Sequence, residues 1–178
     1  DSKAQFRAVM SGTSMNPSDF SITSVEDNFN DWVDMEQGEE YVPEVYIGYT
    51  YVVSDYGKVS GDRIFMDLNP FAKNLVTSRS ARVNDFVIRS GGMLADTVRV
   101  NIPEGYVPEA MPASVRLESR FGIFVSDVTY DEALSRIVVS QTIRLNAGRY
   151  SRDMYSDYRA FAREVSKAYG ARVVLVRK

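Results

Sequence analysis

Large apolar residues alternate with small or polar ones along most of the chain, the mark of antiparallel strand with one face on a core and one in water. In Val45–Val53 the odd positions are large and apolar or aromatic, while the even ones include Gly48 and Thr50. Val98, Val100 and Ile102 oppose Thr97, Arg99 and Asn101. Val115 and Leu117 oppose Arg116 and Glu118, and Ile137, Val139 and Ile143 oppose Arg136, Ser140, Thr142 and Arg144. Further strands are expected at Gly61–Asp67, Ala81–Arg89, Phe121–Tyr130 and Arg172–Arg177. The last has Val173 and Leu175 on one face and Val174 and Val176 on the other, so it is expected in the middle of a sheet, covered on both sides.

Turn residues separate these segments. Asp55-Tyr56-Gly57-Lys58, Ser90-Gly91-Gly92 and Asn146-Ala147-Gly148 read as hairpins or loops. Pro103, Pro108 and Pro112 predict an ordered non-strand connection over Asn101–Ala113, because proline cannot donate to a ladder. Two stretches change period. Residues 153–169 place Met154, Tyr155, Tyr158, Phe161, Ala162, Val165 and Ala168 on one stripe, with Arg159, Arg163 and Lys167 opposite. Ser151 or Asp153 can cap this helix, and Gly170 stands where a left-handed C′ residue is wanted. A second, short helix is expected over Val25–Gln37, where Phe29, Trp32, Val33 and Glu36 share a side. The fold expected is all-β, mainly an antiparallel β-sandwich, with one C-terminal amphipathic helix and this short N-terminal one. Residues 1–178 are expected to form a single β-sandwich domain, with an acidic 1–58 part and a 59–178 part.

Size permits that reading. For 178 residues, folding buries roughly 70% of the unfolded surface, enough for a core without staples. No apolar run reaches membrane-spanning length, and no signal segment stands at Asp1. An opening inside an apparent strand, Ala4–Met10, suggests a trimmed piece. Net charge is −3 overall, but residues 1–58 carry −8 and residues 59–178 carry +5. The Arg residues (Arg79, Arg82, Arg89, Arg99, Arg116) are spaced singly along strands, so they read as a solvated sheet surface paired partly with the acidic part, not as a nucleic-acid footprint.

Two zeros narrow the chemistry: there is no Cys and no His. This removes disulfides, thiolate nucleophiles, the Ser-His-Asp triad and the commonest metal ligands. No catalytic, cofactor-binding or metal-binding residue is assigned. Asp31, Asp34 and Glu36, with Glu26 and Asp27 upstream, lack the order of a calcium loop and read as a solvated helix face. Ser166-Lys167 are helix neighbours that point apart, and the Gly pairs lack a phosphate loop's context. The binding candidates are Trp32, Tyr46, Tyr49, Tyr51 and Tyr56, a stacking platform for a glycan or peptide, against the plainer reading as core aromatics.

From Gly61 the landmarks run Gly61-Asp62-x-Ile64-x-Met66-x-Leu68-Asn69-Pro70, the Arg79–Val83 segment, and Ile102-Pro103-Glu104-Gly105-Tyr106-Val107-Pro108-Glu109-Ala110-Met111-Pro112. Phe121-Gly122-x-Phe124, Tyr155-x-x-Tyr158-Arg159-x-Phe161 and Val173–Lys178 follow. This order resembles the C-terminal all-β domain of unknown function that follows the transglutaminase-like domain in exported multidomain proteins of Gram-negative bacteria. The likeness covers about residues 59–178 and is weaker over 1–58. It implies a non-catalytic accessory or interaction domain, periplasmic or surface-associated, whose partner is the adjacent transglutaminase-like domain of the same polypeptide. That core relies on Cys, His and Asp, so no catalytic residue carries over, and the segment is not expected to be an enzyme. The alternative is a carbohydrate- or peptide-binding β-sandwich module. An accessory domain predicts an exposed apolar patch where its neighbour sits.

Overall fold

The computed structural model describes residues 20–27, 47–53, 56–71, 75, 77, 81–89 and 91–178. The chain divides into two compact units, residues 1–56 and 57–178. In the first, β1 (Phe20–Asp27) pairs antiparallel with β2 (Ile47–Val53). Val25, Glu26 and Asp27 therefore belong to a strand and not to the expected helix, and residues 28–46 lie outside those described. The alternation Phe20, Ile22 and the β-branched Thr23 and Val25 favour strand. Thr23, at an irregularity in the ladder, donates its hydroxyl to the Thr50 carbonyl at 2.9 Å.

The second unit is mainly antiparallel β, as the alternation predicts. Its first sheet has the order β3 (Lys58–Ser60), β4 (Arg63–Asp67), β12 (Arg172–Arg177), β7 (Tyr106–Ala110). The second has the order β6 (Gly92–Asn101), β10 (Arg136–Leu145), β9 (Gly122–Asp131), β8 (Val115–Ser119). A small pair joins β5 (Phe86–Ile88) to β11 (Gly148–Tyr150). A 3-10 turn, Arg152–Met154, leads into α1 (Tyr155–Tyr169). The strand expected over Ala81–Arg89 shortens to Phe86–Ile88, where Phe86 and Ile88 are buried while Val83 before them is exposed.

The segment expected as a non-strand connection contains β7. Among the described strands it pairs with β12 alone, so this edge strand tolerates Pro108, whose missing N–H costs no ladder bond on the open side. Gly105, at φ 82°, makes the tight turn before it. Ser151 caps the 3-10 turn by accepting the Asp153 N–H at 3.4 Å. Gly170 closes α1 but at φ −91°, not left-handed, with its N–H on the Ser166 carbonyl.

One long face of the β6–β10–β9–β8 sheet carries the core in two lobes. At one end Ile137 and Val139 meet Val173 and Leu175 of β12, with Leu68 and Ile102, which is sheet on sheet. At the other, Phe124 and Ile143 meet Phe161, Val165 and Tyr169 of α1. Phe86 fills the second lobe's end, 5.2–6.1 Å from the rings of Phe121, Tyr150, Tyr155 and Tyr158. β12 is central, as its two-faced pattern predicts, but only Val173 and Leu175 are buried. Val174 and Val176, expected to be covered, are half-buried.

Candidate functional site

The two lobes meet at a row of polar side chains. The register aligns Asp96 with Gln141 and Gln141 with Ser126, between an apolar rung at Val98, Val139 and Val128 and another at Leu94, Ile143 and Phe124. Asn69, just after β4, and Tyr169, the last residue of α1, close over this row. Asn69, Ser126 and Gln141 are each at most 3% exposed. Burial this deep requires partners, and the network supplies them.

Each amide's orientation is fixed by its neighbours. The Phe71 N–H donates to Asn69 Oδ1 at 2.8 Å, so the other end of Asn69 is its NH₂. That NH₂ donates to Gln141 Oε1 at 2.8 Å and to Asp96 Oδ2 at 3.4 Å. The Gln141 NH₂ then points the other way, to Ser126 Oγ at 3.2 Å and the Tyr169 carbonyl at 3.4 Å. All four amide hydrogens are used. The Tyr169 hydroxyl donates to Asp96 Oδ2. Burial, and then the hydrogen bond to Asp96, push the Tyr169 phenol well above its ordinary range.

Ser126 ends this chain of donors. Because Gln141 Nε2 can only donate, Ser126 Oγ accepts, and its own proton has no acceptor among the described residues. The group on Ser126 Oγ is an amide N–H, which cannot remove a proton, so Ser126 accepts in this contact, keeps its own proton to donate, and is not an activated nucleophile. Ser126 and Gln141 line a cleft of about 400 Å³ between the β8 edge and the C-terminal half of α1. Its walls are mostly aliphatic: Val115, Leu117, Val128, Pro112, Ala168 and Ala171. Glu164 and Lys167 also line it, from the exposed face of the helix.

A second surface lies on the outer face of the β3–β4–β12–β7 sheet. Phe65, Val174 and Ala110 align across three strands, and Arg63, Val176 and Val107 form the next row. Phe65 is 38% exposed. The Arg63 guanidinium reaches over β12 to Glu109, with Nε–Oε2 2.5 Å and Nη2–Oε1 2.6 Å. This contact holds the exposed Glu109 carboxyl below its usual range. Arg172 Nε meets Asp67 Oδ1 at 2.6 Å on the other side. An apolar strip thus runs between two ion pairs. Arg63, Arg116 and Arg172 find acidic partners within residues 57–178, at Glu109, Glu118 and Asp67.

The sequence-derived binding candidates fall elsewhere. Trp32 and Tyr46 lie outside the described residues, and Tyr56 is half-buried. Of the five, the described backbone brings Tyr49 and Tyr51 together, at alternate positions of β2 opposite Val25 and Ile22. Asp31, Asp34 and Glu36 also lie outside the described residues. Among the described residues, no three His, Cys, Asp or Glu side chains gather as a metal site, and no helix is long and apolar enough to cross a membrane. Asn69, Asp96, Ser126, Gln141 and Tyr169 escape sequence reasoning. Their signal was present: 96, 126 and 141 are polar residues in the inward phase of otherwise apolar strands.

No curated protein and no solved structure matches the chain significantly. One family does: "Domain of Unknown Function with solved-structure structure (DUF3858)" matches residues 62–175. The matched span runs from the turn before β4 almost to the end of β12, taking in both core lobes and the polar seam between them. With well over half of its residues inside that span, the chain belongs to this family of domains of unknown function.

Proposed function

We propose that residues 57–178 act as a non-catalytic accessory domain of a transglutaminase-like exported bacterial protein, docking a neighbouring domain of the same polypeptide through the outer face of β4, β12 and β7. The observation that carries this reading is the Phe65–Val174–Ala110 strip, apolar and flanked by the Arg63–Glu109 and Arg172–Asp67 ion pairs. A dry centre with a charged rim is how protein interfaces are built, and an exposed apolar patch is what an accessory domain requires. The transglutaminase-like partner and the periplasmic or surface location rest on the resemblance of the Gly61–Lys178 landmarks.

The test uses this chain and the polypeptide encoded upstream of it, produced separately and titrated by calorimetry. Val174→Glu places a carboxylate in the middle of the strip, and Phe65→Ser is a milder companion at a more exposed position. The expected result is at least about tenfold weaker association for both, with unchanged circular dichroism. Association that survives both changes, or no association of the parent chains, refutes the docking face. A peptide- or glycan-binding role is favoured only by Tyr49 and Tyr51 alternating along β2. A glycan and peptide array in which Tyr49→Ala and Tyr51→Ala abolish a hit would support it, and an array without hits would remove it.

A further inference from the structure

The cleft beside α1 is independent of that docking face and carries its own chemistry. Its lining holds a buried hydroxyl, Ser126, 3% exposed, whose proton has no acceptor among the described residues; the other hydroxyl of the lining, on Ser114, is exposed and accepts the Val128 N–H at 3.0 Å. The side of Ser126 Oγ that faces Gln141 is an acceptor of necessity, which leaves the proton free to donate elsewhere. Phe71 N–H fixes Asn69, Asn69 fixes Gln141, and Gln141 occupies the acceptor side of Ser126 Oγ. Around it Val115, Leu117, Val128 and Ala168 supply carbon and no polar partner from their side chains. A water on Ser126 would be poorly held, since well-ordered buried waters make about three hydrogen bonds. Displacing such a water with an apolar molecule that also accepts one hydrogen bond is favourable. The volume of about 400 Å³ is within the range of small-molecule sites.

We propose that this cleft binds a small neutral molecule with an apolar body and a carbonyl oxygen at its inner end, which accepts the Ser126 O–H. The ligand's inner end is an acceptor because the amide hydrogens of Gln141 are already used. It is uncharged because the floor holds no cation, and Lys167 stands on the exposed face of α1 with Glu164 beside it. The apolar body lies against β8 and Ala168.

The experiment is a titration of the full ¹⁵N-labelled chain with acetophenone, and with toluene as the probe that lacks an acceptor. Saturable shifts are expected at Ser126, Gln141, Leu117 and Ala168, with toluene about fivefold weaker, as one net hydrogen bond implies. Ser126→Ala should bring the two probes to equal affinity while toluene still binds. Ala168→Leu fills the cleft from the helix, leaves the seam intact and should weaken both probes at least about tenfold. The proposal is overturned if acetophenone gives no saturable shift at these residues. It is equally overturned if Ser126→Ala keeps the preference for acetophenone, or if Ala168→Leu binds like the parent. Should Ser126→Ala fail to fold, Ala168→Leu alone decides.

Discussion

Replacing Gln141 by leucine tests the polar seam most directly. The two side chains are close in size, so the change leaves little cavity and isolates the loss of the amide. The Asn69 N–H that points to Oε1 at 2.8 Å is left without that acceptor, and the Tyr169 carbonyl and Ser126 Oγ lose their donor. An orphaned buried polar group costs about 1–3 kcal/mol. With at least two orphaned groups, and burial of extra hydrocarbon offsetting part, the expected net loss is about 2–3 kcal/mol. For a unit of this size that lowers Tm by roughly 8–12 °C. The assay is thermal and guanidinium unfolding followed by near-ultraviolet circular dichroism. The Phe86, Phe121, Tyr150, Tyr155 and Tyr158 cluster should report strongly on this unit there. Ser126→Ala is the internal control: it deprives Gln141 of one acceptor but also removes a buried hydroxyl whose own proton has no acceptor among the described residues, so its cost should stay near 1 kcal/mol or below. If Gln141→Leu is as stable as the parent, or Ser126→Ala costs as much as Gln141→Leu, the seam is not the connected network described.

Gly122→Ala should destabilise the unit severely, by about 3 kcal/mol or more, because a Cβ there would lie 2.2 Å from the Arg144 carbonyl oxygen on the paired strand. A Tm within a few degrees of the parent would contradict this packing. In alkaline titration followed at 295 nm, Tyr158 and Tyr169 should ionise after ordinary phenols, Tyr158 because it is partly buried and Tyr169 because it is buried on Asp96. Both folded pKa values lie above the unfolded value of 10.0, so the folded chain keeps protons that the unfolded chain loses. Their contribution is therefore fully present below about pH 10 and is lost as pH rises past it. Tyr169→Phe should leave the ordinary phenol titration intact and remove only late absorbance, and loss of a phenol that ionises near the ordinary value of 10.0 would show that Tyr169 does not sit on Asp96.

The departures from the sequence reading share a cause, which is that a ladder's neighbours decide what a local signal means. Pro108 argues against strand until β7 is known to be an edge, where its lost N–H is harmless. Val25–Asp27 fit a helical stripe toward Trp32 as well as a strand, and pairing with β2 selects the strand. Gly170 has the composition of a left-handed cap, yet the chain turns directly into β12 at φ −91°. The seam was the least legible feature. Ser126 and Gln141 read as single breaks in alternation, and only the register that sets Asp96, Gln141 and Ser126 side by side turns three exceptions into one row.

By itself the sequence determined most of the long strands, the amphipathic helix, the central place of β12 and the poverty of catalytic groups. Those properties follow from periods of two and of about 3.6 and from counts of residues, which are local. Tertiary structure alone decided that the sheet's inner face has two lobes, that a buried donor is left over between them, and that the second face of β12 remains a surface. Hydrogen-bond saturation and burial are sums over residues far apart in the chain, such as Asn69 and Gln141, and no window along the sequence contains both.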